Sequence, residues 1–210
     1  MTQASETERV RKIQDKAAPK YDRTMSRWDK LLFGGGREWV CSHARGDVLE
    51  IAIGTGRNLP HYPAEVRLTA IELSPEMLKI ARKRAADLGR EVDLREGNAE
   101  ALNFPDASFD TVVCTFALCT IPDDRKAVAE AKRVLKPGGR FVAIEHVGSP
   151  IGIVRAVEKM LEPLTLRFEA DHLTREPLDH LKAEGFKVER LHRSKLGIVE
   201  RVLAVKPLSD

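Results

Sequence analysis

The chain has 210 residues, with 35 Lys and Arg against 32 Asp and Glu, a net charge of +3 and 42% hydrophobic residues. That length suits one core rather than two, and the near balance of charge leaves no footprint of nucleic-acid binding. Cys41, Cys114 and Cys119 form neither a C-x-x-C pair nor a metal-ligand spacing with histidine, so buried thiols in a reducing compartment are expected, and no metal.

The first segment is polar and charged, without the apolar stretch of a secretory signal, and no apolar run approaches the about 20 residues that span a bilayer. A cytoplasmic protein is expected. Val10, Ile13 and Ala17 recur at helical spacing among many charges, predicting an N-terminal helix that docks on the core, closes as a lid or touches a membrane surface transiently. Short apolar runs follow at 48–53, 67–72, 92–96, 109–115 and 140–146. Between them lie helical stretches. One covers 75–88, with Ser74 as N-cap and Pro75 at the first helical position. The other covers 124–136 and stops at Pro137-Gly138-Gly139. This alternation predicts an α/β, Rossmann-like, seven-stranded, mostly parallel sheet with helices on both faces. The closely spaced runs 187–193 and 198–205 predict a C-terminal antiparallel hairpin.

Such sheets bind ligands at the carboxyl ends of their strands. The first run enters a turn in which Gly54 and Gly56 let backbone approach a ligand and Thr55 and Asn58 offer hydrogen bonds. A dinucleotide site calls for a third glycine where Leu59 stands, which speaks against a nicotinamide oxidoreductase. Glu50, inside the strand, would repel a pyrophosphate but can accept hydrogen bonds around a cationic amino group. The turn therefore suits a zwitterionic sulfonium. Glu72, ending the second run, can accept from both hydroxyls of a ribose; an acid capping the next helix is the plain alternative.

Two further signals lie downstream: Glu96-Gly97-Asn98-Ala99-Glu100, and the run from Phe109 through Thr115-Phe116-Ala117-Leu118-Cys119 with Arg133 to Gly139 beyond it. In this order, over about 45–147, the pattern resembles the class I S-adenosylmethionine-dependent methyltransferases. Ala52 stands where a glycine is usual, and Asn98 where an aspartate is. The resemblance implies S-adenosylmethionine as cofactor and S-adenosylhomocysteine as product. It places Tyr21, Glu50, Ala52, Gly54, Thr55, Gly56, Asn58, Glu72, Leu73, Met77, Asn98, Ala99 and Thr115 around the cofactor. Tyr21 would close over the methionine carboxylate, Leu73 and Met77 would flank the adenine, and the Asn98 oxygen would accept from its amino group. A tyrosine packing a helix and an Asn-containing turn are the plainer readings of Tyr21 and Asn98.

The stretch from Val112 to Thr120, with Ile144-Glu145-His146-Val147, Tyr21-Asp22 and Leu173-Thr174-Arg175, narrows the resemblance to the thiol methyltransferases and their bacterial relatives. Phospholipid N-methyltransferases and quinone C-methyltransferases share the plan. The acceptor is then a small, lipophilic molecule, a thiol on the narrow reading. An S-adenosylmethionine-binding regulator without chemistry is the non-enzyme alternative. His146, at the end of the fifth run, is the candidate base, and Phe116 and Cys119 are candidate walls of the acceptor pocket. A histidine bonded structurally, a core aromatic and a small buried thiol are the alternatives. Glu145 should point to the opposite face. The lack of an Asn-Pro-Pro-aromatic motif and of a pronounced basic run speaks against nucleic-acid methylation.

One methyltransferase domain over 1–210 is expected: a helical cap (1–44), a cofactor-binding core (45–147), an acceptor-side insert (148–172) and a C-terminal helix and hairpin (173–210). In the insert, Ile153, Val154, Val157, Met160, Leu161 and Leu164 share one helix face, with Arg155, Glu158, Lys159 and Glu162 opposite. That stripe should pack inward, on the core or around the acceptor. Nothing in the pattern points to an oligomeric state.

Overall fold

The computed structural model describes residues 3–29 and 34–208. Helices α1 (Gln3–Trp28) and α2 (Gly36–Ser42) precede β1 (Asp47–Ile51), β2 (Arg67–Glu72), α3 (Pro75–Asp87) and β3 (Asp93–Glu96). Then come β4 (Phe109–Thr115), α4 (Asp124–Val134), β5 (Leu135–His146), α5 (Gly152–Phe168), α6 (Pro177–Ala183), β6 (Lys187–Ser194) and β7 (Val199–Val205). They form a seven-stranded sheet in the order β3-β2-β1-β4-β5-β7-β6. The first five strands pair in parallel, and β7 joins β5 and β6 antiparallel. This is the mostly parallel, Rossmann-like sheet with a terminal hairpin that the sequence predicts.

Strands β1, β4 and β5 are buried on both faces, so they read in the sequence as nearly continuous apolar runs. Alternate side chains feed two cores. Leu49, Ile51, Val112, Cys114 and Phe141 pack with α4 and α6 on one face, while Val48, Ala70, Val113 and Ile144 pack with α2 and α3 on the other. Helix α3 starts as expected, with the Ser74 hydroxyl accepting from the Met77 amide at 3.1 Å. Helix α4 ends at Val134, short of the expected 136, because Lys136 precedes a proline and is driven out of helical geometry. Leu135 already pairs with Phe109, and β5 absorbs the Pro137-Gly138-Gly139 turn through an irregular register before Arg140 meets Thr111.

The order of strands reverses between β1 and β4, which opens a crevice at their carboxyl ends. Two residues with left-handed backbone stand at that crevice, Ala52 after β1 at φ 54° and Phe116 after β4 at φ 53°. Each ends its strand by turning the chain away from the sheet.

Candidate active site

A cavity of about 790 Å³ occupies this crevice. Of the residues that the sequence marks, Tyr21, Glu50, Ala52, Gly54, Thr55, Glu72, Leu73, Met77, Asn98, Ala99, Thr115, Phe116, Cys119 and His146 all line it. Gly56 and Asn58 lie behind the wall. A Cβ on Gly56 would meet Leu59 at 2.8 Å and Ala81 at 3.3 Å, so this glycine lets the turn pack on α3. Asn58 is buried and crosslinks the wall, donating to Glu50 at 2.7 Å and to the Thr115 hydroxyl at 2.9 Å.

Gly54 is different. Its φ is 58° and a Cβ there would enter open space, so the backbone of the turn faces the cavity bare. Its amide donates to Glu72 at 2.8 Å, and the Ser74 amide donates to the other Glu72 oxygen at 2.8 Å. Burial pushes the Glu72 carboxyl up, against these two bonds and one from Leu73. Each oxygen keeps a lone pair for a ligand. Glu50 is buried as well, accepting from Asn58 and from the Tyr62 hydroxyl at 2.9 Å, and burial raises its pKa to about 7. The Asn98 oxygen accepts from the Glu100 amide at 2.9 Å, forming an Asx turn and leaving it one free lone pair.

The opposite wall is built from β4, β5 and the segment after β5. Glu145 turns away from the cavity, as alternation requires, and accepts from the Cys114 thiol at 3.1 Å and from the Ala117 and Leu118 amides at 3.1 and 3.2 Å. It thereby fixes the turn that carries Phe116, and burial lifts its pKa to about 7. His146 faces the cavity, and its buried Nδ1 has no hydrogen-bond partner among the described residues. Cys119 is buried beside Asp171, and burial first and that carboxylate second push its thiol well up. It stays a thiol, which rules out a nucleophile here.

Helix α1 is docked along the cavity. Val10, Ile13, Ala17 and Tyr21 line the cavity, and burial pushes the Tyr21 phenol up to about 12. Two aspartates of α1 reach the turns after β1 and β2: Asp15 accepts from Ser74 at 2.6 Å and Asp22 from Thr55 at 2.6 Å. Arg57, in the turn, donates to Asp29 at 2.6 Å. The sequence pattern does not single out Asp15, because a charge on an amphipathic helix looks like part of a solvated face.

Helix α5 is rolled away from the expected orientation. Its polar side docks: Arg155 bonds Glu176, Glu162 accepts from Thr174, and Glu158 accepts from the Ser149 amide at 2.9 Å. Part of its apolar stripe, Val154, Val157 and Leu161, lines the cavity, while Ile153, Met160 and Leu164 are 81%, 73% and 57% exposed. The inward packing expected of the stripe therefore fails for half of it. The Arg155–Glu176 ion pair and the hydrogen bonds accepted by Glu158 and Glu162 hold the helix in this roll.

A methyltransferase-domain family model matches residues 49–143. A phosphatidylethanolamine N-methyltransferase from Cereibacter sphaeroides is 42% identical over 55% of this chain and 58% of its own length. A thiol S-methyltransferase from Homo sapiens is 31% identical over 81% of this chain and 72% of its own. Among solved structures, a SAM-dependent methyltransferase from Thermotoga maritima superposes with a TM-score of 0.70 at 23% identity, covering 94% of this chain and 99% of that one. With this fold, this turn and these relatives, the chain belongs to the class I S-adenosylmethionine-dependent methyltransferases.

Proposed function

We propose that this protein transfers the methyl group of S-adenosylmethionine to a small lipophilic acceptor within the cavity at the sheet switch point. The observation that carries this reading is the pairing of two unlike walls across one cavity. Glu72 and the bare backbone of Gly54 form one, and His146 forms the other. The first wall fits the cofactor. Glu72 offers lone pairs to ribose hydroxyls, Met77 and Leu73 offer apolar surface to the adenine, and Glu50 offers a carboxylate to the cationic amino group. When bound, S-adenosylmethionine supplies a methyl group on a sulfonium that leaves as a neutral thioether.

On the second wall His146, which lines the cavity, takes the acceptor's proton, which suits a thiol or an ammonium alike. Apolar Val154, Val157, Leu161 and Ile198 exclude water and hold an alkyl body. A cavity of about 790 Å³ accommodates both molecules at once. The name of the Homo sapiens relative supports a thiol as acceptor.

One observation favours a second reading, an acceptor drawn from a lipid surface. The exposed stripe Ile153, Met160, Leu164 and Phe168 lies on the helix that also lines the cavity. Beside it runs a groove edged by Lys12, Lys16 and Arg167. Apolar residues flanked by cations match a bilayer containing anionic lipid. No helix among the described residues is long and apolar enough to cross a membrane, so the contact would be peripheral.

Incubation with methyl-labelled S-adenosylmethionine and alkyl thiols, alkyl amines, quinones and phospholipid vesicles tests the proposal. Label in one acceptor class supports transfer and identifies the acceptor. Cofactor binding without label in any class favours the regulator reading instead.

A further inference from the structure

The acceptor end of the cavity holds more acid than its apolar walls account for. Glu158, on α5, is 7% exposed and lines the cavity. One of its oxygens accepts from Ser149, and the other, Oε1, is buried with no hydrogen-bond partner among the described residues. Asp171, in the segment after α5, lines the same cavity, and its Oδ1 is likewise buried and unpartnered. Leaving a buried carboxylate oxygen unpaired costs it its hydration with nothing in return. Two such atoms on residues that line one apolar chamber are a strong sign of an absent cation.

None of the cations that line the cavity, Lys20, Arg37 and Arg57, bonds either oxygen. Arg37 bonds Asp29 and Asn58, and Arg57 bonds Asp29 and the Asp22 carbonyl, all at the glycine-turn end. Arg155, on α5 itself, is held by Glu176. Metal chemistry does not explain the acids either, since no group of three metal-ligating side chains exists among the described residues.

We propose that Glu158 and Asp171 form a subsite for the ammonium head of an amphiphilic amine, with Val154, Val157 and Leu161 holding its alkyl chain. This rests on the reading of the cavity as a methyl-acceptor site and deepens it by naming a basic nitrogen as the acceptor group. Glu158 and Asp171 are then specificity-determining residues. A neutral thiol or quinone leaves both oxygens unsatisfied and binds more weakly, as a site built for a polar partner discriminates against its absence.

The test uses binding, so it does not depend on turnover. The probe is dodecyltrimethylammonium, which has no lone pair to methylate, against dodecanol of equal chain length. Both are titrated below micelle-forming concentration into protein saturated with S-adenosylhomocysteine. The expected result is that wild type binds the cation at least about tenfold tighter than the alcohol. In Glu158→Gln and Asp171→Asn that preference collapses while affinity for S-adenosylhomocysteine is unchanged. A Gln at 158 still accepts from the Ser149 amide, so the fold is kept; should it unfold, Asp171→Asn and the wild-type preference decide. Equal affinity of wild type for cation and alcohol, or a full cation preference in the folded variants, overturns the subsite. Failure of wild type to bind S-adenosylhomocysteine would count against the cofactor reading alone, and the same comparison is then read on the free protein.

Discussion

The Glu72 carboxylate accepts the Gly54 amide at 2.8 Å, tying the carboxyl end of β2 to the turn that follows β1. The acid expected to hold a ribose also builds the turn expected to lie beside it. With the Ser74 amide on its second oxygen, the side chain is fixed before any ligand arrives, which lowers the entropy lost on binding. The same wall carries a strained residue, Ala52, one position beyond β1.

Ala52→Gly should stabilise the protein. A left-handed backbone costs an L-residue about 1–2 kcal/mol, and glycine recovers part of this against its own unfolded-state entropy. A gain of up to about 1 kcal/mol is expected, raising the melting temperature by roughly 2–4 °C. Thermal unfolding followed by circular dichroism checks it, and a lower melting temperature would contradict it.

Glu50 couples the site to pH with opposite signs for folding and binding. Its carboxyl, like that of Glu145, is raised to about 7 by burial, above the ordinary value near 4.5. The folded state therefore holds these protons more tightly. Their contribution to stability is fully present below the unfolded pKa and is lost as pH rises through about 7. Urea unfolding should show stability falling between about pH 5 and pH 8, and less steeply in Glu50→Gln. Cofactor affinity should move the other way, because the ionised carboxylate attracts the amino group. Affinity of S-adenosylhomocysteine that does not rise over this range would remove Glu50 from the amino end.

His146→Ala should separate chemistry from cofactor binding. Loss of a positioned base lowers kcat about a hundredfold. Cofactor affinity should hold, since the unpartnered Nδ1 serves no structural bond. Steady-state rates together with calorimetry decide; wild-type turnover in the variant would take His146 off the acceptor side.

The outward stripe of α5 predicts peripheral lipid binding. Ile153 and Met160 are exposed, so Ile153→Asp with Met160→Asp should leave the fold intact. Wild type should sediment with vesicles containing phosphatidylglycerol, less at high salt, and the double variant should stay in solution. Wild type remaining in solution at low salt would remove the lipid surface from the account.

Much of the site was legible because it is written locally. The Gly54 turn, the Ser74–Pro75 helix start and Glu72 at a strand end each draw on neighbours a few residues away. Even the departure at Ala52 is explained by its φ. What stayed hidden depends on partners far along the chain. Tyr62 completes Glu50, Asp22 of α1 holds Thr55, and Ser149 turns Glu158 inward. Periodicity shows that α5 is two-faced; only its pairings with Ser149, Thr174 and Glu176 settle which face looks in.

The most direct measurement is a calorimetric titration of S-adenosylhomocysteine into wild type, Glu72→Gln and Glu72→Ala, with the fold of each verified by circular dichroism. The cradle of Glu72 and Gly54 predicts saturable binding to wild type. It predicts affinity at least about tenfold weaker, or about 1.4 kcal/mol, in Glu72→Ala, with Glu72→Gln between. A folded Glu72→Ala protein that binds as tightly as wild type, or a wild type that does not bind, would contradict the account.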